Sequence, residues 1–172
     1  MRTDAEQIET LADVLNSPDN TFVYNIKPEN YKDVIDFLKF RVGYSTVSFS
    51  DFLQGGFEVP ELPQLNSIVE DCYKRELEKG RTPNSEDLKK RATIIITGMF
   101  DPSVFGGNTE NYFRLFREMI SDEKYNPGIK FILVEDPLLK PGLSEKKDTE
   151  NLLYGAVKYV NMDTGQSNKV IL

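Results

Sequence analysis

The chain of 172 residues carries 28 acidic against 21 basic residues, a net charge of −7, and contains no histidine. Without an imidazole, these residues cannot form Ser-His-Asp or Cys-His nucleophile systems, two-histidine zinc sites, or a base that titrates near neutral pH unaided. The acidic balance excludes a nucleic-acid binder that works by neutralising phosphates, because that mode needs a basic stripe.

In chain order, residues 4–15 place Ile8, Leu11 and Leu15 on one face ahead of the stop signal Ser17-Pro18-Asp19-Asn20, which predicts a short docking helix. Residues 21–26 alternate Phe22, Tyr24 and Ile26 on one side and predict a strand. Pro28 suits the first turn of a helix whose Tyr31, Val34, Ile35 and Leu38 share a face. Residues 45–49 are β-branched and aromatic, so 21–49 is expected to form a compact β-α-β unit. Gly55-Gly56, Pro60 and Pro63 break regular structure over 51–63 and predict an exposed loop. Leu65, Ile68, Val69, Cys72 and Leu77 then describe an amphipathic helix that stops at Gly80, with Cys72 in the core.

Residues 92–97 and 129–135 are nearly continuously apolar, as strands covered on both faces are. Between them, Thr109 can cap a helix lined by Tyr112, Phe113, Phe116, Met119 and Ile120, so the two strands are expected to be parallel with a right-handed crossover. Residues 152–160 fit a helix face through Leu152, Leu153, Ala156, Val157 and Val160. Residues 154–160 also fit a strand that turns at Met162-Asp163-Thr164-Gly165 into 169–172, and Gly155 with the strand formers Val157, Tyr159 and Val160 favours that hairpin. The expected fold is α/β or α+β: a mixed central sheet around a parallel β-α-β core (92–97 and 129–135), with flanking helices and a C-terminal hairpin. The length fits one domain over 1–172, with any subdivision near 80–84.

The basic clusters Lys74-Arg75, Lys89-Lys90-Arg91 and Lys146-Lys147 are interleaved with Glu76, Glu86, Asp87, Glu145 and Asp148 and read as solvated helix faces. Cys72 is the single cysteine, so no disulfide closes within the chain and a reducing, cytoplasmic location is expected, or a virion for a phage protein. No signal peptide is evident in residues 1–6, and the longest apolar runs, 94–96 and 131–134, are strand-sized, so no membrane partner is expected. The lysine- and asparagine-rich usage suits an AT-rich bacterial or phage genome.

The stretch Gly98-Met99-Phe100-Asp101-Pro102 follows a buried strand and precedes a helix. It resembles the start of the nucleotidyltransferase signature of the cytidylyl- and adenylyltransferase families. The resemblance implies a nucleotide-phosphate site at Gly98, Asp101, Gly106, Gly107 and Thr109, and it requires a helix over 152–160. The family's two signature histidine positions are occupied here by Val104 and Gly107, which removes the phosphate-holding side chains. Read from topology instead, parallel strands deliver Asp101, Glu135 and Asp136 to one sheet edge, where three oxygen ligands suit Mg²⁺ and a phosphate.

The segment 51–63 carries Phe52, Leu53, Phe57, Val59 and Leu62 among glycines and prolines, more apolar than a purely solvated loop. The leading expectation is therefore a non-enzymatic protein-interaction or assembly subunit, of phage or bacterial origin, that binds a protein partner or itself through those five residues and needs no cofactor. The alternative is a phosphate- or nucleotide-binding domain, a degenerate relative of the nucleotidyltransferases.

Overall fold

The computed structural model describes residues 4–42, 45–48, 62–82, 91–99, 130–135, 137 and 158–168. Helix α1 spans Asp4–Asn16, with Asp4 and Glu6 placed favourably in its positive first turn. It buries Thr10, Leu11, Val14 and Leu15, whereas Ile8, expected on the inner face, is 49% exposed. The inner face is thus rotated towards Val14. Pro18 has no N–H with which to extend the helix, and the Ser17 N–H closes the last turn on the Asp13 carbonyl at 3.0 Å.

Strand β1 (Thr21–Tyr24) is buried at all four positions because both faces are covered. Asn25 follows at φ 56°, a left-handed conformation that asparagine tolerates better than most side chains. A 3₁₀ turn, Pro28–Asn30, leads into α2 (Tyr31–Val42), so Pro28 opens the helical segment as expected. Val34 and Leu38 are buried, and Tyr31 and Ile35 pack partly against the same core.

Strand β2 is Ser45–Ser48 and helix α3 is Leu62–Glu78. The expected loop therefore ends before Leu62: Leu62 and Pro63 form the first helical turn, where proline's missing N–H costs nothing. The remainder of that loop lies outside the described residues. The end of α3 is a Schellman motif, in which the Arg81 N–H donates to the Glu76 carbonyl at 3.1 Å and the Gly80 N–H to the Leu77 carbonyl at 3.0 Å. Gly80, at φ 82°, supplies the left-handed residue this geometry demands.

The sheet holds six strands in the order β2-β3-β4-β1-β5-β6, adding β3 (Thr93–Met99), β4 (Lys130–Glu135), β5 (Lys158–Asn161) and β6 (Ser167–Asn168). The pairings β2·β3, β3·β4, β4·β1 and β1·β5 are parallel, and β5·β6 is antiparallel. The expected parallel pair is therefore present as β3 and β4, and the fold is α/β.

The β-α-β expectation for 21–49 is correct in its elements and wrong in their adjacency: β3 and β4 lie between β1 and β2. The hairpin expectation holds for Lys158–Asn161, which pairs with a return strand at Ser167–Asn168; residues 169–172, where the return was expected, lie outside the described residues. Gly165, at φ 76°, turns the chain, and the Asn161 carboxamide oxygen accepts the N–H groups of Asp163 and Thr164 at 2.9 and 3.3 Å. Strands from both sides of 80–84 share the one sheet.

Strand alternation sends Val23, Ile95, Ile132, Val134 and Val160 into one core with Leu11, Val14, Leu15, Val34 and Leu38. The opposite face carries Phe22, Tyr24, Ile94, Ile96, Phe131, Leu133 and Tyr159, all buried. There the Tyr159 ring meets Phe22 at 5.9 Å and Tyr24 edge-on at 6.4 Å.

Candidate functional site

The four parallel pairings align the carboxyl ends of the strands on one edge, which places Met99 opposite Glu135 and Tyr24 opposite Asn161. Gly98, expected to follow the buried strand, lies within β3. The register slips there, from Ile96 opposite Leu133 to Met99 opposite Glu135, so three steps along β3 pass two along β4. That is a bulge, and glycine is a residue that tolerates one. Glu135 is the last residue of β4 and is buried. Asp101, Gly106, Gly107, Thr109 and Asp136 lie outside the described residues, as do Val104, Phe52, Leu53, Phe57 and Val59. Leu62 is the first residue of α3.

Among the described residues, no three side chains of the aspartate, glutamate and cysteine types are gathered as a metal site would need. A cavity beside the carboxyl edge, bordered by Asn25, Lys27, Asn30 and Asp163, measures about 10 Å³, room for one water. Lys158–Val160 form strand rather than the helix over 152–160 that the nucleotidyltransferase resemblance requires. A larger cavity of about 300 Å³ lies between α1 and the β5·β6 hairpin, where Asp13, Ser17, Lys158 and Ser167 supply polar groups over a floor of Val14 and Val160.

Two buried charges escaped the sequence reading. Glu76, expected on a solvated face, is fully buried and accepts Arg81 at 2.6 Å, with Lys79 at 3.6 Å. Leu77, expected inside, is 43% exposed in its place. Lys130 is buried at the head of β4, where its ammonium donates to the carbonyls of Val14, Leu15 and Ser17 at the end of α1. Burial lowers its pKa to about 8, with Asp19 opposing the shift and Arg91 adding to it. Cys72 is buried as expected, and burial raises its thiol pKa even though Arg75 Nη2 donates to the sulfur at 3.0 Å. A thiol so placed is held protonated and poorly nucleophilic.

The most exposed large apolar side chain among the described residues is on α2. Phe40 is 78% exposed, and with Asp33, Asp36 and the half-buried Phe37 it borders a shallow, open concavity of about 450 Å³. Phe40 lies on the side of α2 away from Val34 and Leu38, whereas Phe37, three residues after Val34, packs partly against their core. No described helix is long and apolar enough to cross a membrane. No family model, no curated protein and no solved structure matches this chain.

Proposed function

We propose that this chain works by protein contacts, as a subunit of an assembly or an accessory factor, rather than as an enzyme. The observation that carries the reading is Phe40: a large aromatic side chain left 78% in water, on a helix whose other face is well buried, is what an interface residue looks like before its partner arrives. The apolar side chains Phe52, Leu53, Phe57, Val59 and Leu62 add a second stretch suited to the same use. A phage or bacterial source, and a cytoplasmic or virion location, belong to this reading through the lysine-rich composition. Solution mass measured by light scattering, together with affinity capture from the source lysate, tests it. A mass above the 19.7 kDa of one chain, or a stoichiometric captured partner, is expected. A strict monomer at high concentration that captures nothing overturns the reading.

A second reading is favoured by one relationship, the side-by-side ends of β3 and β4 with Glu135 at the edge where open α/β sheets take ligands. On that reading Asp101 and Asp136 join Glu135 around Mg²⁺ and a phosphate or nucleotide, with Gly98, Gly106, Gly107 and Thr109 near the phosphates. Titration with Mg²⁺ or Mn²⁺ should then raise the melting temperature of the wild type and not of Asp101→Ala. Equal response in both, or none, removes it.

A further inference from the structure

We propose that the cavity between α1 and the β5·β6 hairpin binds a small zwitterion, an α-amino acid with a branched aliphatic side chain, its ammonium held at Asp13 and Ser17 and its carboxylate at Lys158. The site lies at the amino end of the sheet, because Thr21 and Lys158 are the first residues of β1 and β5 and pair in register. It is thus at the opposite edge from Glu135 and shares no residue with either reading above. Val23 and Val160 belong to the core beneath α1, and alternation puts Thr21 and Lys158 on that same face. Ser167, opposite Val160, joins them from β6. Thr10, Asp13, Val14 and Ser17 recur at i, i+3, i+4 and i+7, so one face of α1 closes the other side. The space of about 300 Å³ is the volume of about ten waters, enough for a solute of amino-acid size.

The polar groups of the cavity select the charge of its occupant. Asp13 and Lys158 both border it, yet among the described residues neither is in an ion pair, with the other or with a third group. The Ser17 hydroxyl donates to the Asp19 carboxylate at 3.4 Å, and the Thr21 hydroxyl donates to the Asp19 carbonyl at 3.0 Å. What these two hydroxyls have left is capacity to accept, as is all that Asp13 offers, whereas Lys158 only donates. Lys130, at the same end of the sheet, has its ammonium committed to the main-chain carbonyls of Val14, Leu15 and Ser17. A plain cation leaves Lys158 facing like charge, a plain anion does the same to Asp13, and a neutral solute desolvates both without a partner. An ammonium and a carboxylate on one small molecule satisfy both sides. Val14 and Val160, both buried, supply the apolar contact for an aliphatic side chain.

The test is titration of the full chain with L-leucine, followed by NMR at the methyl groups of Val14 and Val160. Saturable shifts with a Kd of about 0.1–1 mM are expected. Leucinamide, which lacks the carboxylate, and N-acetyl-leucine, which lacks the ammonium, should each bind about tenfold more weakly. Asp13→Asn, at an exposed position, should weaken leucine by about tenfold and leave N-acetyl-leucine unchanged. Lys158→Met should weaken leucine similarly and leave leucinamide unchanged, with the thermal midpoint of the ligand-free protein unaltered in both variants. No saturable shift up to about 10 mM leucine overturns the proposal. So does equal binding of the three ligands, or leucine affinity unchanged in both variants. The ligand series needs no variant, so a failure of Lys158→Met to fold leaves the question decided by the other arms. None of these outcomes touches the protein-contact reading, which stands or falls on solution mass and capture.

Discussion

Lys130 Nζ donates to the Val14 main-chain carbonyl, joining the first residue of β4 to the last turn of α1 across 116 positions of sequence. The same ammonium reaches the Leu15 carbonyl at 3.4 Å and the Ser17 carbonyl, so one side chain serves the acceptors that a helix end leaves unsatisfied. The Asn20 carboxamide, accepting the Phe131 N–H at 2.9 Å, secures the same junction from the other side. Replacing Lys130 by methionine keeps much of the apolar stem and removes every donor. Denaturant unfolding should show a loss of about 2 kcal/mol, the cost of leaving buried carbonyls unpartnered. Hydrogen exchange should localise the change to the end of α1, and a neutral result would mean that water already serves those carbonyls.

The same lysine makes stability depend on pH in a defined window. In the folded state its pKa is lowered to about 8, against 10.5 for an unperturbed lysine. Between those values the folded protein has released a proton that the unfolded chain still holds. The stability attributable to this group is therefore complete above the upper value and is lost as pH falls through the lower one. The difference in unfolding free energy between wild type and Lys130→Met should widen from pH 7 to pH 10, every other titration cancelling in the comparison. A difference that stays flat or narrows contradicts the lowered pKa.

Gly80 permits a prediction with a single cause. A Cβ built there meets nothing within 4 Å, yet the backbone sits at φ 82°. Gly80→Ala should therefore cost about 1–2 kcal/mol from backbone conformation alone, and Gly80→Asn less, because asparagine accepts the left-handed region more readily. Chemical denaturation of the two variants checks the ordering. Equal costs would point to packing rather than backbone conformation.

Where a pattern carried one physical meaning, it was legible in the sequence. The unbroken apolar runs at 94–96 and 131–134 have no solvent-compatible alternative, and they form the buried parallel pair β3·β4. Val160 and Tyr159 prefer an extended backbone strongly enough to place β5. Strand order was not legible, because periodicity says that a strand is covered on both faces and not which strand lies beside it. Hence β1 sits between β4 and β5 rather than beside β2. The exposure of Phe40 went unread because the same helix also offers Tyr31, Val34, Ile35, Phe37 and Leu38, a stronger apolar face. Buried charges went unread where a group distant from them along the chain satisfies them. Lys130 meets carbonyls of another element, and Glu76 meets an arginine beyond the glycine that ends its own helix.

That last pairing decides which way α3 faces. Glu76 rather than Leu77 turns inward because the Schellman turn at Gly80 carries Arg81 back along the helix, to within 2.6 Å of the Glu76 carboxylate. With Glu76 fully buried and Arg81 only 13% exposed, removing one partner leaves a charge that water cannot readily reach. Arg81→Met should lower stability by about 3 kcal/mol, somewhat less if Lys79, now 3.6 Å from the other carboxylate oxygen, moves in to compensate. The double replacement Glu76→Leu with Arg81→Met removes both charges and should recover most of that loss, since an apolar pair of similar volume is often as stable as a buried ion pair. A double-mutant cycle by denaturant unfolding measures the coupling directly. Additive single and double costs would show that the pair contributes nothing as a pair, and that apolar contacts of α3 alone fix its rotation.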